Sequence, residues 1–306
     1  MRFESVRAIY DYGIKNGKMC FITGDYGHTK TEEFRSDFGD RYFNGGMSEQ
    51  NIIGMSAGMA ISGLRVATYS IVPFITLRCF EQIKIDVCEQ NADVLIIGGG
   101  GGLAYGGAGA THYSIEEIAA LSALPRMKIV SPADPREAYE LTSQLLELGG
   151  PAYIRIGSGR EDDLPVDKYN VKLGKAAVLK EGGDAVIFSY GTIIKEALKT
   201  SEMLKERGID LGVVNVHTIK PLDKDTIVKE SRGKRAVFVL EEHNVIGGLG
   251  SMISSLLLEG GLTPEIFKIF GVEDTWPKKI GSQKYLREEL GISGNKISQK
   301  IDNLLR

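Results

Sequence analysis

The chain has 306 residues, of which 42% are hydrophobic and 25% are charged, and its formal net charge is -3 at pH 7. These values are typical of a globular protein, and the length allows two domains of ordinary size, each with its own core. The slightly negative charge predicts that neither nucleic acid nor a membrane surface is a partner.

Targeting signals and cysteine usage indicate the compartment. No apolar run approaches the roughly 20 residues that span a bilayer, and the first residues lack the basic-then-apolar profile of a signal peptide. The three cysteines, Cys20, Cys79 and Cys88, form no CxxC pair and no even disulfide framework. We therefore expect a cytoplasmic protein whose cysteines are small core residues.

The first predicted elements are an amphipathic helix over residues 2–17 and a short apolar strand over residues 19–23. The loop that follows, residues 24–30, lies at the carboxyl end of this strand, which is where ligands bind in open α/β sheets. Within it, His28 and Lys30 are candidates for binding an anionic substrate. The alternative for both is a solvated loop side chain.

The next stretch places a glutamate in an uncharged helix. Ser48 is a suitable N-cap, Glu49 lies in the first turn, and residues 52–63 are small or apolar. An acidic residue in a first turn can simply complement the helix dipole, for about 0.3–1 kcal/mol. A carboxyl group buried in such a helix instead tends to keep its proton, and it can then donate a hydrogen bond. The bare helix surface also allows another subunit to approach closely.

A strand over residues 64–70 and a helix beginning at Pro73 follow, with Phe74 as either a core or a site aromatic. The buried strand over residues 93–97 leads into five glycines, residues 98–102. Leu103 stands where a dinucleotide-binding motif needs its third glycine, and no GxxxxGK[ST] motif occurs. We predict a strand-end loop whose backbone borders the site, leading to a helix that begins near Ser114.

The remaining pattern alternates strands and helices and predicts mainly parallel sheets with helices on both faces. Polar residues 157–169 read as an interdomain linker, which gives a first domain over residues 1–165 and a second over residues 170–306. His243, which follows a strand of the second domain, is interpreted as ordering a loop or a domain interface.

Several stretches resemble motifs of the transketolase family and occur in the family's order. They are residues 40–51, 74–82, 109–112, 130–135, 217–223 and 241–250. The resemblance covers nearly the whole chain. It implies two three-layer α/β/α domains, a thiamine-diphosphate pyrimidine-binding domain followed by a transketolase C-terminal domain.

The resemblance also implies a cofactor and the residues that contact it. Thiamine diphosphate would be activated by Glu49, whose carboxyl hydrogen-bonds a ring nitrogen of the aminopyrimidine. Phe74 would stack on the aminopyrimidine, and Asp25 and Arg78 would also contact the cofactor. The substrate-binding residues implied by the family are His28, Thr29, His112 and Arg160. His112 is in addition expected to be catalytic, because a histidine can shuttle protons.

The family holds the cofactor diphosphate through a divalent metal bound by a Gly-Asp-Gly motif, and this chain has no such motif. The chain therefore resembles only the C-terminal two-thirds of a transketolase. We expect a separately encoded N-terminal subunit to carry the diphosphate-binding domain and to hold most of the Mg²⁺ or Ca²⁺ coordination. An α2β2 assembly is implied, with homodimerisation through the Glu49 helix.

Two departures from the family concern the sugar. Ala108 replaces an aspartate that hydrogen-bonds a sugar hydroxyl, and a second substrate histidine falls in the glycine run near Gly100. A site that loses such groups changes its preferred substrate. The expected reaction is transfer of a two-carbon ketol unit between sugars or sugar phosphates, one of them non-standard.

Three other functions remain open at this point. The chain could be the β subunit of a 2-oxoacid dehydrogenase, or a carboligase similar to deoxyxylulose-phosphate synthase, since both share the glutamate. A non-catalytic scaffolding partner is the alternative from a different class, against which the retained Glu49 and Phe74 speak.

Overall fold

The computed structural model of the chain describes residues 1–25, 32–159, 161–167 and 169–306. Two sheets form its frame. In chain order the strands are β1 (Met19–Thr23), β2 (Tyr42–Asn44), β3 (Arg65–Ile71), β4 (Val94–Gly99), β5 (Lys128–Val130), β6 (Ala152–Ile156), β7 (Ala177–Lys180), β8 (Ala185–Ser189), β9 (Leu211–Asn215), β10 (Thr218–Lys220), β11 (Ala236–Asn244) and β12 (Ile266–Val272).

Helices cover these sheets. In chain order they are α1 (Arg2–Lys15), α2 (Glu32–Phe38), α3 (Glu49–Ile61), α4 (Val72–Ile75), α5 (Phe80–Gln82, continued as a π-helix over Ile83–Glu89), α6 (Glu117–Ser122), α7 (Pro135–Leu148), α8 (Ile194–Lys205), α9 (Lys224–Ser231), α10 (Leu249–Glu259), α11 (Gln283–Glu289) and α12 (Gly294–Leu305). Within the described ranges, none of the helices has the length and apolarity needed to cross a membrane.

The first sheet has the strand order β10-β5-β6-β4-β3-β1-β2, and all its pairs are parallel except β10 with β5. Parallel strands need crossover helices, which pack on the two faces of the sheet. The strand β1 illustrates the result: Cys20 and Ile22 face the core under α3, whereas Met19 and Phe21 face the core under α1 and α7. Every residue of this strand is buried.

The second sheet has the order β12-β11-β8-β9-β7, with β7 antiparallel at one edge. One of its faces shares a continuous hydrophobic core with the α3 face of the first sheet, and the other packs against α8 and α12. The predicted fold class, two α/β domains with mainly parallel sheets, is thereby confirmed.

The strand β10 crosses between the two sheets. Its residues come from the second half of the chain, directly after β9, yet they pair with β5 at the edge of the first sheet. The backbone N–H of Ser131 also donates to the carbonyl of His217, at 2.8 Å. The boundary expected between residues 165 and 170 stays a prediction, since one strand of the later segment belongs to the earlier sheet.

The glycine run corrects one expectation. Gly98 and Gly99 are not loop residues but the last two residues of β4, paired with β3 and β6. A Cβ at Gly98 would lie 2.9 Å from Tyr153, and one at Gly99 would lie 2.6 Å from the Tyr69 hydroxyl. Glycine is therefore required there because neighbouring tyrosines fill the space that a side chain would need.

The helix expected near Ser114 begins three residues later, at Glu117. In a helix that began near Ser114, the Ile115 carbonyl would accept from the Ala119 N–H. It accepts instead from the Asn244 N–H at 2.6 Å, and the Ala119 N–H donates to His243 Nε2 at 3.4 Å. The first turn of the expected helix is therefore replaced by contacts with the end of β11.

Candidate active site

Four parallel strands of the first sheet, β2, β1, β3 and β4, end at the same edge, and the candidate residues follow their carboxyl ends. Asp25 follows β1, Glu49 begins the helix after β2, and Phe74 lies in the helix after β3. His112 lies in the loop after β4. The topology therefore brings residues that are far apart in sequence to one edge.

Glu49 is a buried acidic residue at this edge of the sheet. It is only 1% exposed, although it opens a helix. Its Oε1 accepts a hydrogen bond from Ser70 Oγ at 3.2 Å. Its Oε2 lies 2.7 Å from Arg78 Nη1, an ion pair between residues 29 positions apart. No charge lies close to Glu49 in sequence, so the structure supplies one from a different helix.

Close packing at the start of α3 explains how the glutamate is buried. Ile52 and Ile53 face the core, and a Cβ at Gly45 would lie 2.5 Å from Ile52 Cγ1. Glycine at this position lets the chain turn directly beneath the helix. Ser48 occupies the N-cap position, but its hydroxyl donates to the Gly45 carbonyl at 2.6 Å and caps no helical N–H. It fixes the turn before the helix.

Arg78 connects Glu49 to two aromatic rings. Its guanidinium carbon lies 4.4 Å from the centroid of the Phe74 ring, a cation–π geometry. The Phe74 ring in turn meets the His112 ring edge to face, with centroids 5.2 Å apart and an interplanar angle of 71°. Glu49, Arg78, Phe74 and His112 thus form one continuous line of contacts, with Phe74 and His112 half-buried.

His112 has one defined polar partner among the described residues. Its Nδ1 lies 2.8 Å from Thr111 Oγ1, which fixes the orientation of the imidazole ring. The other ring nitrogen, Nε2, is the atom that could bind or exchange a proton with a substrate hydroxyl.

Asp25 lies at the same edge and is exposed. Asn44 Nδ2 donates to its Oδ1 at 3.4 Å, and its backbone N–H donates to the Gly46 carbonyl at 3.2 Å. The segment that leads into the Glu49 helix therefore holds Asp25 in place. The predicted substrate residues His28, Thr29 and Arg160, together with Lys30, lie outside the described residues.

A buried charge network behind the site was not foreseen from the sequence. Arg155 Nε lies 2.6 Å from Glu117 Oε1, and Arg155 Nη2 donates to the carbonyls of Ser114 and Glu242, both at 3.0 Å. Glu242 itself accepts from the backbone N–H of Leu103 at 2.5 Å and pairs with Arg287. The network fixes both ends of the loop that carries His112. Its partners lie too far apart in sequence to give a local signal.

Cys79 lies directly behind the site and is chemically inert. Burial, reinforced by the Glu49 carboxylate, raises the pKa of its thiol to about 12. The thiol donates to the Phe74 carbonyl, with Sγ 3.2 Å from the oxygen. Because the thiolate is the nucleophilic form, the role of Cys79 is to hold the backbone of Phe74.

These residues fit an aminopyrimidine. A buried carboxyl can meet a ring nitrogen, and an aromatic face beside it can stack on the heterocycle. Within the described ranges, no group of three or more His, Cys, Asp or Glu side chains is placed to hold a metal ion.

Comparison with known families identifies both halves of the chain. Residues 6–159 match the family described as transketolase, pyrimidine binding domain. Residues 174–297 match transketolase, C-terminal domain. The chain therefore belongs to the transketolase family, as its sequence motifs predict.

Individual relatives agree with this assignment. One of the subunits of the apulose-4-phosphate transketolase of Actinobacillus succinogenes is 32% identical, over 93% of this chain and 92% of that protein. A 1-deoxy-D-xylulose-5-phosphate synthase of Halalkalibacterium halodurans is 30% identical, over 91% of this chain but 44% of that protein. A solved structure described as a split gene transketolase, inactive beta4 tetramer, superposes with a TM-score of 0.85 at 29% identity, covering 98% of this chain and 96% of that one.

Proposed function

We propose that this chain is the C-terminal subunit of a two-subunit, thiamine-diphosphate-dependent transketolase. The enzyme would move a two-carbon ketol unit from a ketose or ketose phosphate to an aldose acceptor. The observation that carries the proposal is the buried Glu49 carboxyl beside the Phe74 ring, at the carboxyl edge of the first sheet in a transketolase-family chain.

The residues of this chain divide the work as follows. Glu49 holds a proton at a ring nitrogen of the aminopyrimidine, and its burial keeps water away from that hydrogen bond. Phe74 provides the stacking face, while Asp25 and Arg78 contact the cofactor. His112 binds the substrate and transfers protons to and from the hydroxyl groups of the substrate. Thiamine diphosphate, when bound, supplies the carbanion-stabilising chemistry of ketol transfer.

The lack of a Gly-Asp-Gly motif supports a split site. The diphosphate and its Mg²⁺ would be held by a separate subunit, in an α2β2 assembly. The A. succinogenes relative, which is named as one subunit of a transketolase, and the structure described as a split gene transketolase support the same arrangement.

The substrate is proposed to be a modified sugar or sugar phosphate. Ala108 cannot make the hydroxyl hydrogen bond that the family's aspartate makes, and the sequence around Gly100, residues 90–110, contains no histidine. The A. succinogenes relative is named for apulose-4-phosphate, which is neither xylulose 5-phosphate nor ribose 5-phosphate.

A second candidate function is carboligation of a 2-oxoacid, because the chain is also 30% identical to a 1-deoxy-D-xylulose-5-phosphate synthase. Release of carbon dioxide from pyruvate distinguishes this reaction from ketol transfer, which releases none.

The decisive experiment is reconstitution with the candidate diphosphate-binding subunit. Calorimetry should detect binding of thiamine diphosphate and Mg²⁺ by the mixture and not by this chain alone. The mixture should then turn over a modified ketose with an aldose acceptor more rapidly than xylulose 5-phosphate with ribose 5-phosphate. Tight metal-dependent binding by the chain alone would contradict the split site, and full activity on the standard pair would contradict the altered substrate.

The variant Glu49→Gln tests the chemical role of Glu49. The amide preserves the size of the side chain but cannot provide the same tunable proton, so we expect the reconstituted variant to assemble and to lose turnover. Turnover equal to that of the wild type would refute the proposed role of Glu49.

A further inference from the structure

A second concave surface lies beside the loop that carries His112. It is a cleft of about 400 Å³ between the start of α6, the end of β11 and an irregular segment before α11. Its lining residues are Ile115, Glu116, Asn244, Ile246, Asp274 and Trp276, together with Thr275. We call it the Trp276 cleft.

The cleft exposes unusually large apolar side chains. Trp276 is 62% exposed and Ile246 is 61% exposed. Trp276 is also the single tryptophan of the chain. Exposed aromatic and aliphatic groups that share one concavity mark interaction sites, and tryptophan is the residue type most enriched among interface anchors.

Two carboxylates border this apolar surface. Asp274 is exposed and Glu116 is half-buried, and the positive charges of His243 and Arg155 partly oppose the effect of burial on the pKa of Glu116. Burial raises the pKa of Glu116 even though its carboxylate accepts the Ile115 N–H at 2.5 Å. An indole face next to two carboxylates suits a guanidinium or an ammonium group, which would gain a cation–π contact and charge pairing together.

The position of the cleft indicates which molecule brings that cation. Gly281 N–H donates to the Gly106 carbonyl at 3.3 Å, and Ile280 Cγ2 would lie 3.5 Å from a Cβ at Gly109. The segment carrying Trp276 therefore packs on the loop that ends at His112. The loop that carries His112 also continues directly into Ile115 and Glu116 of the cleft, so a protein that contacts this loop lies beside the cleft.

We infer that the Trp276 cleft binds a basic segment of the separately encoded diphosphate-binding subunit, with Trp276 as the anchor and Glu116 and Asp274 pairing with an arginine or lysine of that segment. The inference rests on the proposed function, since that function supplies the partner. It adds a specific contact surface outside the cofactor site.

The single tryptophan makes the test direct. The chain is labelled with 5-fluorotryptophan, which gives one ¹⁹F resonance, and is mixed with the diphosphate-binding subunit used in the reconstitution. We expect the resonance to shift and to lose its response to a solvent paramagnetic agent. Trp276→Ala should weaken assembly at least tenfold in sedimentation velocity, and Asp274→Asn should reduce the salt dependence of the association rate.

Leu258→Ala is the matched control, because Leu258 is a large apolar residue of comparable exposure, 64%, near the far end of α10. It should leave assembly unchanged. Urea unfolding of the Trp276→Ala chain is measured as well. A midpoint equal to that of the wild type shows that the variant is folded and that any loss of assembly comes from lost docking.

Each remaining outcome is decisive. If the complex forms while Trp276 stays accessible, the inference is overturned and the proposed function stands. If no complex forms, both fall. If the resonance shifts with the concentration of this chain alone, a second copy occupies the cleft and the inference is wrong.

Discussion

Arg78 makes two contacts that an aminopyrimidine would also need, one with the Glu49 carboxylate and one with the Phe74 ring. The arginine side chain is 45% exposed, whereas that of Glu49 is 1% exposed. The arginine can therefore turn toward solvent, but its departure would take the paired cation from a carboxylate that stays buried, and this costs free energy. Of the two partners of this ion pair, Arg78 is therefore the side chain that can change position.

A double-mutant cycle on Arg78 and Glu49 measures the interaction free energy of this ion pair. We expect Arg78→Met and Glu49→Gln to couple by about 1–2 kcal/mol in urea unfolding at pH 8, since one partner is buried and the other is partly screened. Other contacts of Glu49 cancel in the cycle.

The control for this cycle is the surface pair Arg7–Glu4, whose nitrogen and oxygen lie 2.6 Å apart and whose side chains are 58% and 27% exposed. Arg7→Met and Glu4→Gln should show little coupling. Equal coupling in the two cycles would mean that burial of Glu49 adds nothing to the pair.

Family motifs were sufficient to nominate Glu49, Phe74 and His112, and the structure places them along one line of contacts. The contact with Ser70 was not foreseen, because it depends on β3 ending beside α3. The Arg155–Glu242 contact joins residues 87 positions apart and has no local sequence pattern. Such side chains become recognisable only when the strand order is known.

At the scale of elements, α3 combines a buried face with an open one. Ile52, Ile53, Ser56 and Ala57 face the core. Gly58 is exposed, and a Cβ at Gly54 or Gly58 would meet nothing within 4 Å in the single chain. The open glycines are therefore not required by packing within the chain.

This arrangement gives opposite predictions for folding and association. Gly54→Ala with Gly58→Ala should stabilise the isolated chain, by about 0.5–1 kcal/mol per site, because alanine favours the helix. If a second copy packs closely on this face, the same methyl groups should weaken self-association at least tenfold in sedimentation equilibrium.

Glu202→Ala, at an exposed position of α8, is the control and should leave association unchanged. Unaltered self-association of the double alanine variant would show that homodimerisation uses another surface.

An element with clear periodicity, such as α1, was predictable, whereas very short strands were not. The three-residue strands β2 and β10 carry too few residues to show alternation. The start of α6 was also misplaced, because Asn244 competes for the Ile115 carbonyl. A tertiary hydrogen bond decided the start of α6, and a local sequence pattern does not contain it.

At the scale of the whole molecule, the junction of the two sheets contains a buried histidine. His217 lies between β9 and β10 and is 1% exposed. Burial, followed by the positive charge of Arg136, lowers the pKa of His217 to about 4, with Asp223 opposing. The unfolded chain takes up this proton near its ordinary pKa of about 6.5. Stability is therefore complete above that pH and is lost as the pH falls toward the folded-state value.

Because only the unfolded chain protonates His217 in this range, we expect the free energy of unfolding to fall by about 2 kcal/mol between pH 7 and pH 5. His217→Asn should lose less stability over the same range, as measured by urea unfolding at both pH values. Glu137, whose pKa burial raises to about 7, acts in the opposite direction and contributes equally to both proteins. Parallel pH profiles for variant and wild type would contradict a buried neutral histidine.

The strand β10 limits how the chain can be divided, because it comes from the later segment but pairs with the first sheet. A fragment that stops at residue 165 would leave β5 as an unpaired edge strand, since Thr218 and Lys220 supply its outer partner. Open edges of this kind recruit other chains and promote aggregation. The complementary fragment would release a short strand with no sheet to join. A gene break between the two family domains would therefore separate segments that need each other to stay soluble, so the two halves are expected to be inherited as one unit.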